Sequence, residues 1–148
     1  MTVRRRNDGF TMLELLLAIA IVAMVTALAV PSSIGFYESI QRREAVRSAL
    51  RIFNGAREQA LSSGRYQDVM VRPQTNRIWS SRDSQTLSSA LQLKVHGAAE
   101  LNFSDTGVIR FYPDGSSSGG GIDIARAGGS GTRISVDWLM GRVEQQTL

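Results

Sequence analysis

An apolar run from Phe10 to Val30 constrains this chain more than any other feature. Its 21 residues include eleven Leu, Ile, Val or Phe, with Ala and Met filling most of the remainder. As a helix rising about 1.5 Å per residue it is roughly 32 Å long, against about 30 Å for a bilayer's hydrocarbon core. One charge lies inside it, Glu14. An ionisable side chain at membrane depth costs on the order of 2.5 to 3.5 kcal/mol, and strongly apolar residues return about 0.3 to 0.6 kcal/mol each, so the run still inserts with a margin of a few kcal/mol. Glu14 therefore marks a function and calls for a partner. Arg4, Arg5 and Arg6 precede the run. Positive charge stays on the cytoplasmic side, which places the chain after Pro31 outside.

Beyond Pro31 the pattern stays helical but becomes one-sided. Ile34, Tyr37, Ile40, Val46, Ala49, Leu50, Phe53, Ala56, Ala60 and Leu61 recur at spacings of mostly three and four, opposite Glu38, Arg42, Arg43, Glu44, Arg47, Arg51, Arg57 and Glu58. The stripe stops at Ser62-Ser63-Gly64, where glycine suits a helix C-terminus. The spacing predicts one long helix from about Phe10 to Ser63. After Gly64 the period becomes two, which predicts strands over 67–72, 77–81, 91–95, 108–112, 122–125 and 133–138. About 85 residues of sheet bury too small a core alone, so the helix face holding Val46, Leu50 and Phe53 should complete it. The expected fold is α+β: a long N-terminal helix, transmembrane in its first half, packed on a C-terminal antiparallel β-sheet domain. The divisions are a leader (1–9), the apolar helix (10–30), its amphipathic continuation (31–63) and the sheet domain (64–148).

Composition excludes several chemistries. The 148 residues hold no cysteine, so disulfides, zinc ribbons and thiol nucleophiles are absent. The formal charge of +4 falls to +2 once residues 1–9, with three Arg and one Asp, are removed. Lys94 is the only lysine among 17 basic residues, and the arginines are scattered apart from Arg42 and Arg43, a pattern of solvated faces and ion pairs. His96 is the only histidine, which leaves no His-pair metal site. Asp105, Asp114 and Asp123 match no oxygen-ligand loop. No catalytic residue, metal or cofactor is expected. The Gly115–Gly121 segment lacks the Lys-Ser or Lys-Thr of a phosphate loop and is expected to be a flexible connection. Neither Trp79 nor Trp138 sits in a basic-aromatic cluster of the sequence, so both are expected in the core.

Gly9-Phe10-Thr11-Met12-Leu13-Glu14, behind a short basic leader and ahead of the apolar run, resembles the class III leader of type IV pilins and type II secretion pseudopilins. Met12 stands where that family usually carries Leu or Ile, and Pro31 matches a proline common at the end of the run. Near the other end, Arg110 to Ile122 and Val136 to Val143 resemble the C-terminal part of the H-type minor pseudopilins. The middle, about 64–102, carries no recognisable motif.

The resemblance implies a pilin-like fold, cleavage by a prepilin peptidase between Gly9 and Phe10, and N-methylation of the Phe10 amine. It implies an assembly role for Glu14 and Phe10, the carboxylate of one subunit meeting the terminal amine of its neighbour. Such a pair is strong at low dielectric, and either charge left alone is costly. The implied function is that of a minor pseudopilin, a non-enzymatic subunit near the tip of the type II secretion pseudopilus. Its partners would be major and minor pseudopilins and secreted cargo. Its location would be the inner membrane as a single-pass protein, N-terminus cytoplasmic and sheet domain periplasmic, and then the filament. The alternative is a minor type IV pilin that assists pilus assembly or binds nucleic acid, with Arg133 and Arg142 as contacts. Two other readings of the N-terminus stay open: a plain membrane anchor, or a secretory signal cut near Ala27-Leu28-Ala29, which would release a periplasmic enzyme.

Overall fold

The computed structural model describes residues 10–97, 105–126, 129 and 131–148, with backbone alone over 28–38. Helical backbone runs from Met12 to Ser63 (α1). It ends where the sequence supplies Gly64, whose φ of +66° sits in the left-handed region and whose N–H reaches the Ala60 carbonyl at 3.1 Å. The chain divides into two compact units, Met1–Tyr37 and Glu38–Leu148.

In the first unit the described apolar side chains all face outward, from 54 % exposed at Ile21 to 83 % at Phe10 and Met12. Among the described residues no helix is long and apolar enough to cross a membrane. The side chains described on the apolar part of α1 end at residue 27, and residues 12–27 span only about 24 Å of helix. The crossing expected of residues 10–30 as a whole therefore lies partly outside the described residues.

The second unit contains eight strands among the described residues: β1 (Gln67–Arg72), β2 (Arg77–Trp79), β3 (Ser84–Thr86), β4 (Leu91–His96), β5 (Gly107–Phe111), β6 (Gly120–Arg126), β7 (Gly131–Val136) and β8 (Val143–Thr147). They form two antiparallel four-stranded sheets, ordered β3-β2-β1-β5 and β4-β6-β7-β8. A single sheet was the simpler expectation. The chain instead changes sheets from β3 to β4, from β4 to β5 and from β5 to β6, and in the last of these connections Gly115, Gly119 and Gly120 adopt positive φ values that other residues rarely take. Strands β3 and β8, Ser-Gln-Thr and Val-Glu-Gln-Gln-Thr, carry almost no apolar alternation and so left no signal in the sequence.

One core joins α1 to both sheets. The helix contributes Ala45, Val46, Ala49, Ile52, Phe53, Ala56 and Ala60, each at most 7 % exposed and spaced at three and four. The first sheet contributes Val69, Val71, Ile78, Ile109 and Phe111. The second contributes Leu91, Leu93, Ile122, Ile124, Ile134 and Val136. The four alanines let the helix backbone approach the strands, and Phe53 fills the centre, its ring edge-on to Phe111 at 6.4 Å and 76°. Leu50 is half-buried against this core. Ile40 and Leu61 are 45 % and 46 % exposed, so the stripe frays at both ends.

Candidate functional site

Helix α1 begins with a cap written into the sequence. Thr11 precedes the first helical residue, its carbonyl accepts the first helical hydrogen bond from Leu15 N–H at 3.1 Å, and its Oγ1 accepts the Glu14 N–H at 3.2 Å. Thr-x-x-Glu is the signature of a capping box. The pattern is legible at positions 11–14, where Glu14 alone is expected to carry a role and Thr11 enters only as part of the leader motif. The cap holds the Glu14 amide at the third helical position, one turn from Phe10, and a carboxylate at a helix N-terminus also meets the positive end of the helix dipole. Gly9 lies outside the described residues, as do Arg4, Arg5 and Arg6. Phe10 stands 83 % exposed at the start of the described chain.

The two C-terminal runs singled out in the sequence meet in space. In the first, Asp114 Oδ1 accepts both the amide and the hydroxyl of Ser116, at 2.9 and 2.6 Å, which holds its carboxyl below the usual carboxylate range. Ser118 pairs twice with Arg110 of β5, donating its N–H at 2.8 Å and accepting Arg110 N–H on Oγ at 3.0 Å. In the second run, Asp137 Oδ1 accepts the amides of Leu139 and Met140 at 3.1 and 2.6 Å, winding 137–141 into a turn. Ser117 ties the runs together: its N–H donates to Trp138 O and its Oγ to Asp137 O, both at 2.9 Å. Gly141 closes the join, because at φ +57° a side chain is strained and a Cβ would collide with the Gly115 carbonyl oxygen. Arg57 of α1 braces the turn from below, donating Nη2–H to Met140 O at 3.1 Å.

This overturns two expectations. The Gly115–Gly121 segment is a bonded clasp between β5, β6 and the β7–β8 connection, because its serines supply hydrogen bonds that a flexible linker would leave to water. Trp138 is not in the core. It stands 66 % exposed beside Leu139 at 60 % and Met140 at 54 %. These three consecutive large apolar side chains are exposed together on one hydrogen-bonded turn.

Charged side chains organise the outer sheet faces. Asp123, flanked by Ile122 and Ile124, alternates outward from β6 and receives Arg133 in a two-pronged pair at 2.7 and 2.8 Å, with His96 Nε2 at 2.8 Å. Arg133 foremost, then His96, lowers its carboxyl pKa to about 2 against the opposing effect of burial. The guanidinium of Arg133 is thus committed to an internal carboxylate. Arg142 remains 64 % exposed at the side chain, 3.7 Å from Glu144. On the other sheet Arg110 forks onto Asp68 at 2.7 and 2.8 Å and stacks on Tyr66 at 4.1 Å. Trp79, also expected in the core, is instead half-buried outside it, with Arg72 and Arg77 within 5.5 and 5.3 Å of its ring. That cluster was invisible in sequence because it depends on the β1–β2 register, which pairs Arg72 with Arg77 and Met70 with Trp79. Among the described residues no three His, Asp or Glu side chains converge as metal ligands would.

Comparison with known proteins covers both ends of the chain. Residues 4–30 match the prokaryotic N-terminal methylation motif, and residues 42–140 match the type II transport protein GspH family. The chain is 32 % identical over 149 residues to type II secretion system protein H of Xanthomonas campestris pv. campestris, covering 99 % of this chain and 87 % of that one. Its fold is similar to that of the minor pseudopilin EpsH from the type 2 secretion system of Vibrio cholerae. The TM-score is 0.59 at 14 % identity, over 72 % of this chain and 96 % of that chain.

Proposed function

The chain belongs to the GspH family of type II transport proteins, and on that premise we propose that it is a minor pseudopilin, a structural subunit near the tip of the filament that supports protein export. A prepilin peptidase cuts between Gly9 and Phe10, and the new Phe10 amine is methylated. Before assembly, residues 10–30 anchor the chain in the inner membrane, N-terminus cytoplasmic and the 38–148 unit periplasmic. In the filament that helix packs among equivalent helices, and Glu14 neutralises the terminal amine of a neighbour. The turn at Trp138, Leu139 and Met140 offers a contact surface to other subunits or to cargo.

The observation that carries this reading is the capped start of α1. Glu14 is held one turn from Phe10 on a helix whose described side chains up to residue 27 are all exposed, a surface that one copy of the chain leaves uncovered. N-terminal mass spectrometry of the mature chain tests it: a chain starting at methylated Phe10 is expected, and one starting near Val30 would refute the reading. The nucleic-acid alternative needs Arg133 and Arg142 as phosphate contacts, yet Arg133 already neutralises Asp123. Retention on DNA at low salt that falls steeply with ionic strength would revive it.

A further inference from the structure

We infer that the groove between α1 and β8 receives an acidic, extended segment of a different filament subunit, which adds to the free edge of β8 as a further strand. The groove encloses about 560 Å³ and has three kinds of wall. Val46 and Leu50 supply an apolar floor, Arg43 and Arg47 a cationic side, and Gln145 and Thr147 of β8 the side opposite. The inference rests on the filament reading above and names the chemistry of one partner.

Charge is the first observation. From Arg42 to Arg51 the helix carries four arginines against one acid, Glu44. Among the described residues, neither Arg43 nor Arg47 is ion-paired, although other guanidinium groups of the unit, those of Arg110 and Arg133, are forked onto carboxylates. Two exposed cations four residues apart on one helix face repel each other, and a carboxylate-bearing segment relieves that repulsion.

The strand edge is the second observation. β8 is the last strand of its sheet and pairs only with β7 among the described residues. Leu148 donates its N–H to Gly131 O at 2.9 Å. By antiparallel alternation, Glu144 and Gln146 also turn their backbone groups to β7, while Gln145 and Thr147 turn theirs to the open side. Exposed edges are usually guarded by lysine, proline or a bulge. β8 has no lysine and no proline, and its register with β7 runs without a bulge from Val143 to Thr147. Main-chain pairing would supply affinity, and the arginine wall would select acidic side chains. A phosphate or a lipid headgroup would use the arginines but neither the strand edge nor the apolar floor, which favours a peptide.

The test uses the full-length chain in the membranes of producing cells, with a photoreactive residue at Gln146. The expected result is a crosslink to another subunit bearing a methylation-type leader, mapped to an acidic extended stretch. Charge reversal by Arg43→Glu with Arg47→Glu should lower its yield about tenfold. Gln145→Pro, which removes one outward N–H and leaves the β7 ladder in place, should lower it as well. Both variants must keep the wild-type melting midpoint, and if the proline variant does not, the exposed arginine pair alone decides. No crosslink, a crosslink to a second copy, to lipid, to nucleic acid or to secreted cargo, or a yield indifferent to charge reversal would overturn the inference. Leader cleavage in the same sample separates the two levels. A chain cleaved at Phe10 and incorporated into filaments, yet not crosslinked, sinks the groove proposal alone, whereas an uncleaved chain sinks the filament reading beneath it.

Discussion

Thr11 and Glu14 show how much can depend on two side chains at the start of a helix. The hydroxyl of Thr11 satisfies a helix N–H that has no partner within the helix, and the same geometry fixes Glu14 relative to Phe10. Thr11→Ala should cost about 1 kcal/mol of local helix stability. Faster hydrogen exchange at the Glu14 amide in the detergent-solubilised chain would register it, and an unchanged rate would show the cap to be idle. Asp123 acts on the sheet instead. Its folded pKa of about 2 lies below the free value of 3.8, so its pair with Arg133 contributes fully above about pH 4 and is lost as pH falls toward 2. Asp123→Asn should therefore lower stability near pH 7 by about 2 kcal/mol. The gap between variant and parent in urea unfolding should close near pH 2. A pH-independent gap would mean that packing, not charge, holds this site.

At the scale of elements, the decisive contacts lie where backbones come close. Gly107 of β5 faces Val95 of β4 across the two sheets, and a Cβ there would sit 2.5 Å from Val95 Cγ2. Gly107→Ala should destabilise by about 1 to 3 kcal/mol through overpacking, and Val95→Ala in the same chain should recover part of the loss. Additive losses in a double-mutant cycle would rule out that contact as the cause. The strands with alternating apolar residues were legible beforehand, β1 to the residue and β2, β4, β5, β6 and β7 within a few positions. β3 and β8 were not, because a polar edge strand is held by backbone pairing that side-chain pattern does not report. The clasp at Ser117 escaped for a related reason. Serine and glycine read as flexible when nothing indicates which carbonyls lie within reach, and here Asp137 and Trp138 supply them from 20 and 21 residues away.

For the whole molecule, the division at Tyr37 and Glu38 leaves every described residue of the hydrophobic core in the second unit. Residues 38–148 alone should therefore unfold cooperatively, at the midpoint of that unit in the full chain; a molten or insoluble fragment would show that the apolar helix is needed to complete the fold. If Glu14 meets a neighbour's terminal amine as proposed, Glu14→Ala should leave leader cleavage intact and lower filament incorporation about tenfold or more, since a buried ammonium without its carboxylate is costly. Unimpaired incorporation would remove Glu14 from the assembly mechanism. Local pattern alone determined the helix, its apolar first half with a lone acid and the period-two strands, because hydropathy and backbone propensity act over a few neighbouring residues, while the family was legible through the resemblance carried by the leader and the two C-terminal runs. Tertiary structure alone decided that the strands form two sheets, that Trp138 points into solvent, that Arg133 is taken by Asp123, and that Arg43 and Arg47 face an open strand edge. Those outcomes depend on register and on which distant backbones meet, and such long-range pairings leave no trace in local spacing.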